Sequence, residues 1–118
     1  MQNNQLRYYS FDLDDNILHL PTLIHMDKLV NNNWMPQSIS TSEFAKNRND
    51  ISNWRYRNND SDLAFSEFKD TGIRKNKAFI EDLTYSINNN QFGPSWEAFI
   101  ECLTNGCIFS IITARGHN

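Results

Sequence analysis

The feature that most constrains the fold is a nearly unbroken apolar run, residues 107–112, which directly follows a predicted helix over 94–105. Such a run is typical of a strand that is buried on both faces, as in parallel sheets. Parallel strands need a crossover connection, and the helix can supply it. Pro94 suits the first turn of this helix and Gly106 its end. The sequence therefore predicts an α/β protein with a parallel sheet.

A second apolar stretch, residues 7–13, is the other predicted core strand, and it runs into a cluster of acidic residues. Open α/β sheets usually bind their ligands at the carboxyl ends of the strands. Asp12 and Asp14 are two positions apart, so an extended backbone places both side chains on one face. Close carboxylates repel each other unless a cation or a shared proton relieves them. This strand end is therefore a candidate site for chemistry.

The two strand ends together resemble the haloacid dehalogenase (HAD) superfamily of phosphohydrolases. The first motif of that family is an apolar strand that ends in Asp-x-Asp, and Asp12-Leu13-Asp14 matches it. The second motif is an apolar strand that ends in Thr or Ser, and Thr113 stands at that place. The predicted helix before the second strand strengthens the resemblance.

The resemblance implies a Rossmann-like parallel core with a β-hairpin flap and an inserted cap. It divides the chain into a partial core, residues 1–18 and 93–118, and a flap and cap-like insertion, residues 19–92. The helix over 94–105 would bring strand 107–113 beside strand 7–13 or one strand away.

The resemblance also implies roles for individual residues. Asp12 would be the nucleophile that forms an aspartyl-phosphate, and Asp14 the general acid and base. Mg²⁺ would be held by the Asp12 carboxylate, the Asp14 backbone carbonyl and the phosphate of a small phosphorylated substrate. The Thr113 hydroxyl and the backbone N–H of Ala114 would hold a phosphoryl oxygen.

The chain departs from the family at two places. Asn16 stands where the family usually has Thr or Val. The family also completes its site with a later Lys or Arg and a further acidic pair, and neither has a counterpart before Asn118. We therefore expect little or no phosphatase activity from these 118 residues alone. A non-catalytic remnant, or a half-protein that needs a complementary chain, is the second hypothesis.

A calcium-binding loop is the main alternative interpretation of the acidic cluster. Asp12, Asp14 and Asn16 occupy the first, third and fifth positions of an EF-hand pattern. The pattern fails at its sixth position, which is Ile17 instead of Gly, and at its twelfth, which is Leu23 instead of Glu. An acidic turn without a function is the other alternative, and Thr113 at the second strand end counts against it.

Two further sets of polar residues carry weaker functional hypotheses. Segment 54–57, Trp-Arg-Tyr-Arg, interleaves aromatic and basic residues as single-strand nucleic-acid surfaces do. In a chain with a formal charge of −3, a structural anchor with solvated arginines is the favoured interpretation. His19, His25 and His117 have no metal-ligand spacing. Arg115 is interpreted equally as a surface charge or as a phosphate contact.

Several local signals between the two motifs predict secondary structure. Residues 23–40 predict a hairpin around an Asn-rich turn, with Pro36 on an edge strand. Ser40 and Glu43 have the spacing of a capping box. Residues 46–62 are polar and predict a loop, pinned by Ile51, Trp54 and Tyr56, and segment 63–68 fits a strand or a helix.

Two apolar stripes at helical spacing are predicted to face the core. The first belongs to a helix over 76–88 and the second to the helix over 94–105. Their members are Phe79, Ile80, Leu83 and Ile87, then Trp96, Phe99, Ile100 and Leu103.

The cellular setting follows from what the sequence does not contain. The first residues are polar and lack an apolar signal core, which speaks against secretion. No run is long enough to span a membrane. We therefore expect a cytoplasmic protein without a membrane partner. Because nothing after residue 113 would cover strand 107–112, we also expect self-association through it, or a partly molten chain.

Overall fold

A computed structural model describes residues 8–116 of the chain. They form a mixed α/β structure with a small parallel sheet and a separate antiparallel sheet. Two short 3₁₀ turns, Arg57–Asn59 and Ser66–Phe68, complete the regular structure. The elements in chain order are β1 Tyr8–Asp12, β2 Ile24–Val30, β3 Asn33–Ile39, α1 Thr41–Asn47, β4 Trp54–Tyr56, α2 Ser61–Ala64, α3 Lys77–Asn88, α4 Trp96–Thr104 and β5 Ile108–Ile112.

The parallel sheet consists of β1 and β5, which pair directly and in register from Tyr8 with Ile108 to Asp12 with Ile112. The prediction that strand 107–113 lies beside strand 7–13 or one strand away is confirmed, and the two strands are direct neighbours. Helix α4 makes the connection into β5, as expected for parallel neighbours. The sheet has two strands within residues 8–116, so its assignment to a partial Rossmann-like core stays a prediction.

The transition from α4 to β5 depends on Gly106. Its φ is +67°, a left-handed conformation that favours glycine. The N–H of Cys107 donates to the Cys102 carbonyl at 3.0 Å, and the N–H of Gly106 donates to the Leu103 carbonyl at 3.3 Å. These two bonds form a Schellman motif, which ends the helix and turns the chain into the strand.

The antiparallel sheet has the order β3-β2-β4. Asn31 and Asn32 form the predicted hairpin turn with φ of 50° and 64°, the backbone twist that suits a two-residue hairpin loop. Pro36 lies on the edge strand β3, as predicted. The capping box between Ser40 and Glu43 is also present and starts α1.

The prediction of a loop throughout residues 46–62 was wrong. Segment Trp54–Tyr56 is β4, which pairs with Met26–Lys28 of β2, and a turn of helix begins at Ser61. Trp54 is buried, but Ile51 is 81 % exposed and does not anchor the segment. The strand was missed because its partner lies far away in the sequence and its own residues show no alternation over a useful length.

Two clusters of buried residues form the core. One packs β1 and the segment after it against α3 and α4, and the other packs β2, β3 and β4 against α2. Helix α3 belongs to the first cluster, although the sequence-based division places it in the insertion. The first contains Phe11, Leu13, Ile17, Leu18, Leu20 and Cys102, and the second contains Ile24, Met26, Ile39, Trp54 and Ala64.

The predicted core-facing stripes are only partly correct. In α3, Ala78, Asp82 and Ser86 are the buried residues, whereas Ile80 is 63 % exposed and Ile87 is also exposed. The buried face is rotated because two of its positions are polar and find buried hydrogen-bond partners. In α4, Ile100 and Leu103 are likewise exposed on the side away from the first cluster.

Strand β5 is not buried on both faces as predicted. Ile108, Ile111 and Ile112 are all exposed, because no element within residues 8–116 covers them. Within the same residues, no helix combines the length and the apolar character needed to cross a membrane.

Replacement of Gly106 tests the helix end in isolation. A Cβ at this position would meet no atom within 4 Å, so Gly106→Ala changes only the backbone preference. We expect it to lower the free energy of unfolding by about 1 kcal/mol, measured by urea denaturation. Gly106→Asn should lower it less, because Asn tolerates the left-handed region. Equal stability of Gly106→Ala and the unaltered chain would contradict the role of this glycine.

Candidate functional site

Parallel pairing of β1 and β5 brings the two predicted motifs to one sheet edge. Asp12 is in register with Ile112, and the N–H of Leu13 donates to the Ile112 carbonyl at 3.0 Å. Segments 12–14 and 113–115 therefore leave neighbouring strands side by side. This is the edge at which ligands bind in open α/β sheets.

A tight turn fixes the backbone after Asp12. The Leu13 carbonyl accepts hydrogen bonds from the N–H groups of Ile17 and Leu18 at 3.2 and 3.3 Å, and the Asp15 N–H donates to the Leu18 carbonyl at 2.9 Å. Leu13, Ile17 and Leu18 are buried in the first cluster. The apolar residues of this segment thus anchor it, while Asp12 stays exposed.

Two of the predicted metal-binding oxygens lie within hydrogen-bond distance of the same atom, the Asn16 amide nitrogen. The Asn16 amide nitrogen donates to Asp12 Oδ2 at 2.9 Å and lies 3.4 Å from the Asp14 carbonyl oxygen. A single donor therefore reaches the Asp12 carboxylate and the Asp14 backbone together. These hard oxygen donors fit Mg²⁺, which is usually bound through one or two carboxylates, substrate phosphate and water.

The Asp14 side chain has a different partner, the guanidinium group of Arg115. Arg115 Nη2 donates to Oδ1 at 2.7 Å and Nε donates to Oδ2 at 3.2 Å, which makes a bidentate ion pair. The Arg115 side chain is 2 % exposed and lies over the rings of Phe68 and Phe79, at 4.6 and 5.4 Å from their centres. The interpretation of Arg115 as a surface charge is therefore wrong, because its side chain is buried and paired with Asp14.

A chain of buried polar groups continues from Arg115 into the protein. Arg115 Nη2 also donates to the Thr22 hydroxyl at 2.8 Å, and that hydroxyl donates to Asp82 Oδ2. Arg74 holds both oxygens of Asp82, at 2.6 and 3.0 Å. Hydrogen bonding to Asp82 raises the pKa of Arg74. Four side chains from different parts of the chain thus support the position of Asp14.

Sequence reasoning missed Thr22, Arg74 and Asp82 altogether. Asp82 is 4 % exposed in the middle of α3, and Ser86, four residues later, donates to the His19 carbonyl at 2.7 Å. The only signal was the presence of Asp and Ser beside the apolar stripe of a predicted helix. When their partners are unknown, Asp82 and Ser86 are easily assigned to the solvent-exposed face of this helix.

The predicted phosphate-binding residues lie at the open side of the edge. Thr113 and Ala114 are exposed, and the Thr113 hydroxyl accepts a hydrogen bond from the Arg115 N–H at 3.1 Å. This local bond ties the Thr113 side chain to the start of the turn. The backbone of Thr113 and Ala114 is therefore held at one end by β5 and at the other by the buried Arg115.

The two histidines within residues 8–116 do not come together in one site. His19 contacts Asp15 at 3.1 Å, and His25 contacts Ser38 at 2.7 Å. Burial lowers the pKa of His25, and the nearby Arg57 lowers it further. His117 lies outside the described residues. Within residues 8–116, no group of three or more His, Cys, Asp or Glu side chains is arranged to hold a metal ion.

The basic residues of segment 54–57 face an acidic side chain. Arg55 Nε donates to Asp27 Oδ2 at 2.9 Å, and Arg57 Nε lies 3.8 Å from the other oxygen. Asp27 is buried in β2. Arg55 also lies over the Trp34 ring, 4.7 Å from its centre. Trp54 is buried, as expected of a structural anchor. The two arginines, however, form ion pairs with Asp27 and are not simply solvated.

A cavity of about 340 Å³ opens beside the sheet edge. Asp14, Ala114 and Arg115 line it on the side of the candidate site. Aromatic residues from α1 and from the segment after α2 also line it. The acidic and basic groups of the site therefore share a wall with a pocket of ligand size.

Comparison with protein-family models, with curated proteins and with solved structures finds no match to this chain.

Replacement of Thr22 tests the buried polar chain. Thr22→Val keeps the shape of the side chain but removes the hydroxyl that joins Arg115 to Asp82. We expect the free energy of unfolding to fall by about 2 kcal/mol, because two buried charged groups each lose a hydrogen bond. Urea denaturation followed by tryptophan fluorescence measures this change.

The matched control is Thr84→Val on the exposed side of α3. The Thr84 hydroxyl donates to the Ile80 carbonyl of its own helix at 2.8 Å. This change should alter the free energy of unfolding by less than about 0.5 kcal/mol. Equal effects of the two substitutions would show that the Thr22 bridge contributes nothing particular to stability.

Proposed function

We propose that the chain carries the phosphoryl-transfer edge of a HAD-like, Mg²⁺-dependent phosphohydrolase that acts on a small phosphorylated compound. The observation that supports this most is the direct parallel pairing of β1 and β5. Because of it, an exposed Asp12 and an exposed Thr113 stand at the same sheet edge. A carboxylate nucleophile and a hydroxyl that binds phosphoryl oxygen need this proximity.

In the proposed reaction, an Asp12 carboxylate oxygen attacks the phosphorus atom. The bond between phosphorus and the leaving oxygen breaks, and that oxygen takes a proton from Asp14. In the second half, Asp14 removes a proton from water, whose oxygen attacks the aspartyl-phosphate. Phosphate leaves and Asp12 is restored. Division of the displacement into two steps is the usual advantage of a covalent nucleophile.

Asp14 can play this part only after a local change. Both of its carboxylate oxygens accept hydrogen bonds from Arg115 in the structure. The ion pair must open, at least at one oxygen, before Asp14 can carry a proton to a leaving group. Arg115 is then a positioning residue that sets where the Asp14 side chain rests between turnovers.

The Asp12 carboxylate and the Asp14 carbonyl would hold the Mg²⁺ ion. Bound there, the ion would neutralise charge on the phosphoryl oxygens. Asn16 would give up its hydrogen bonds to both oxygens, either by rotation of its side chain or by presentation of its own amide oxygen. The Thr113 hydroxyl and the Ala114 N–H would hold a phosphoryl oxygen on the other side.

A half-protein that works with a complementary chain is the second candidate. The exposed isoleucines of β5 favour it, because an apolar strand face gains stability when a partner covers it. The nucleic-acid-binding hypothesis has less support, because Arg55 and Arg57 are directed to the buried Asp27. A cytoplasmic location remains part of the proposal.

Trapping of the covalent intermediate tests the proposed nucleophile. The chain is incubated with acetyl phosphate and Mg²⁺, quenched in acid, and analysed by intact mass spectrometry and peptide mapping. We expect a hydroxylamine-sensitive phosphoryl group on Asp12, absent from Asp12→Asn, even if net phosphate release is slow. Asp15→Asn is the control and should be labelled normally. Labelling that persists in Asp12→Asn would contradict the assignment.

Self-association is tested by sedimentation velocity over a range of concentrations. If β5 is the contact, the unaltered chain should form larger species as its concentration rises. The double change Ile111→Lys and Ile112→Lys should suppress them by adding charge to the exposed strand. Ile51→Lys, at an exposed isoleucine outside both sheets, is the control. A monomer at every concentration would exclude this contact.

A further inference from the structure

The cavity beside the sheet edge has one wall of aromatic rings. Phe44 and Phe65 meet edge to face at 5.5 Å between ring centres, and Phe65 and Phe68 meet at 6.1 Å. All three line the cavity and are half-buried. They come from α1, from the end of α2 and from the following 3₁₀ turn, so the row depends on tertiary packing and is not a by-product of one helix.

The aromatic row leads directly to the candidate catalytic edge. Phe68 lies under the Arg115 guanidinium group, which in turn holds Asp14. Asp14 and Arg115 line the same cavity as the rings. A ligand whose phosphoryl group reaches Asp12 could therefore place the rest of its structure against the phenylalanines.

Arg115 also has a donor that no group within residues 8–116 satisfies. Its Nη1 atom is buried and has no hydrogen-bond partner among the described residues. A buried guanidinium nitrogen without an acceptor is unfavourable and rare in folded proteins. Because Arg115 lines the cavity, a small rotation of its side chain would let an acceptor atom of a bound ligand reach Nη1.

Apart from Ile24 and Ala114, the other residues that line the cavity are polar. Thr41, Ser61, Asp62 and Lys69 contribute to it, and Lys69 Nζ lies 3.1 Å from Asp62 Oδ1. Hydroxyl, carboxylate and ammonium groups suit a ligand with several hydrogen-bonding atoms. The lining thus offers both aromatic surface and hydrogen-bonding groups. A ligand with a flat ring and several polar atoms matches this combination better than an aliphatic group or a bare sugar phosphate.

We propose that this cavity binds a flat nitrogen heterocycle of nucleobase size, so that the substrate class is the nucleoside monophosphates. The inference rests on the proposed function for the identity of the reacting group, but binding of the heterocycle does not depend on catalysis. The volume of the cavity is within the usual range of small-molecule sites. Stacking of the base on the phenylalanine row would supply affinity, and the polar residues would contact the sugar.

The test compares ligands that differ in one part. Adenosine 5′-monophosphate, adenosine, ribose 5-phosphate and inorganic phosphate are titrated by calorimetry in the presence of Mg²⁺. Base–aromatic stacking contributes about 1–3 kcal/mol, so adenosine 5′-monophosphate should bind about tenfold or more tightly than ribose 5-phosphate. Adenosine should bind measurably by itself. Equal affinity for the two phosphate esters would overturn the inference.

Single substitutions then locate the contact. Phe44→Leu keeps an apolar side chain but removes the ring, and we expect about tenfold weaker binding of adenosine 5′-monophosphate with unchanged binding of inorganic phosphate. Phe65→Leu is a second variant with the same expectation, should the first fold poorly. Phe92→Leu is the control, because Phe92 stacks on Trp96 outside the cavity, at 4.2 Å. Unchanged nucleotide binding in folded Phe44→Leu and Phe65→Leu would overturn the inference.

Failure of the inference can be told apart from failure of the proposed function. If Asp12 is phosphorylated but ribose 5-phosphate competes as well as the nucleotide, the heterocycle site is wrong and the phosphohydrolase proposal stands. If the nucleotide and adenosine bind through the phenylalanines but Asp12 is never labelled, the site stands and the proposed reaction is wrong.

Discussion

The ion pair between Asp14 and Arg115 connects the two strand ends on which the proposed site depends. Its partners are separated by 101 positions in the sequence, and it forms only because β1 and β5 are adjacent and in register. The Arg115 side chain is buried, whereas Asp14 is 22 % exposed. Removal of Asp14 would leave a buried guanidinium group without its bidentate acceptor, which is unfavourable. The same ion pair therefore positions Asp14 at the sheet edge and stabilises the pairing of β1 with β5.

The buried Arg115 also explains why distant segments are polar. A guanidinium group out of water needs acceptors, and Thr22 relays its contact to Asp82. Asp82 in turn needs cations, and Arg74 supplies one. As a result α3 turns a polar face inward, so Ile80 is left exposed. The buried charge at the edge thus contributes to the orientation of α3, together with the packing of Phe79 and Leu83 against the first cluster.

The sequence was sufficient for several features whose signal is local, although the short helix α2 with its Asp60 N-cap was missed. The capping box at Ser40, the helix end at Gly106 and the two motif strands were predictable, because each depends on neighbouring residues. Strand Trp54–Tyr56, the inward side of Asp82 and the burial of Arg115 depend on partners far along the chain. For the site, the sequence indicated the acidic strand end and Thr113, but not the ion pair or the aromatic cavity beside it.

Repulsion between Asp12 and Asp14 was the first reason to expect a cation at this edge. The structure shows that protein groups already reduce it, since Arg115 neutralises the Asp14 side chain and the Asn16 amide donates to Asp12. Electrostatic relief alone therefore no longer requires a metal ion. What supports Mg²⁺ binding is the convergence of the Asp12 carboxylate and the Asp14 carbonyl on one donor, Asn16. In the proposed reaction, a phosphate group would add negative charge beside these oxygens, so that Mg²⁺ and the substrate would each favour the binding of the other.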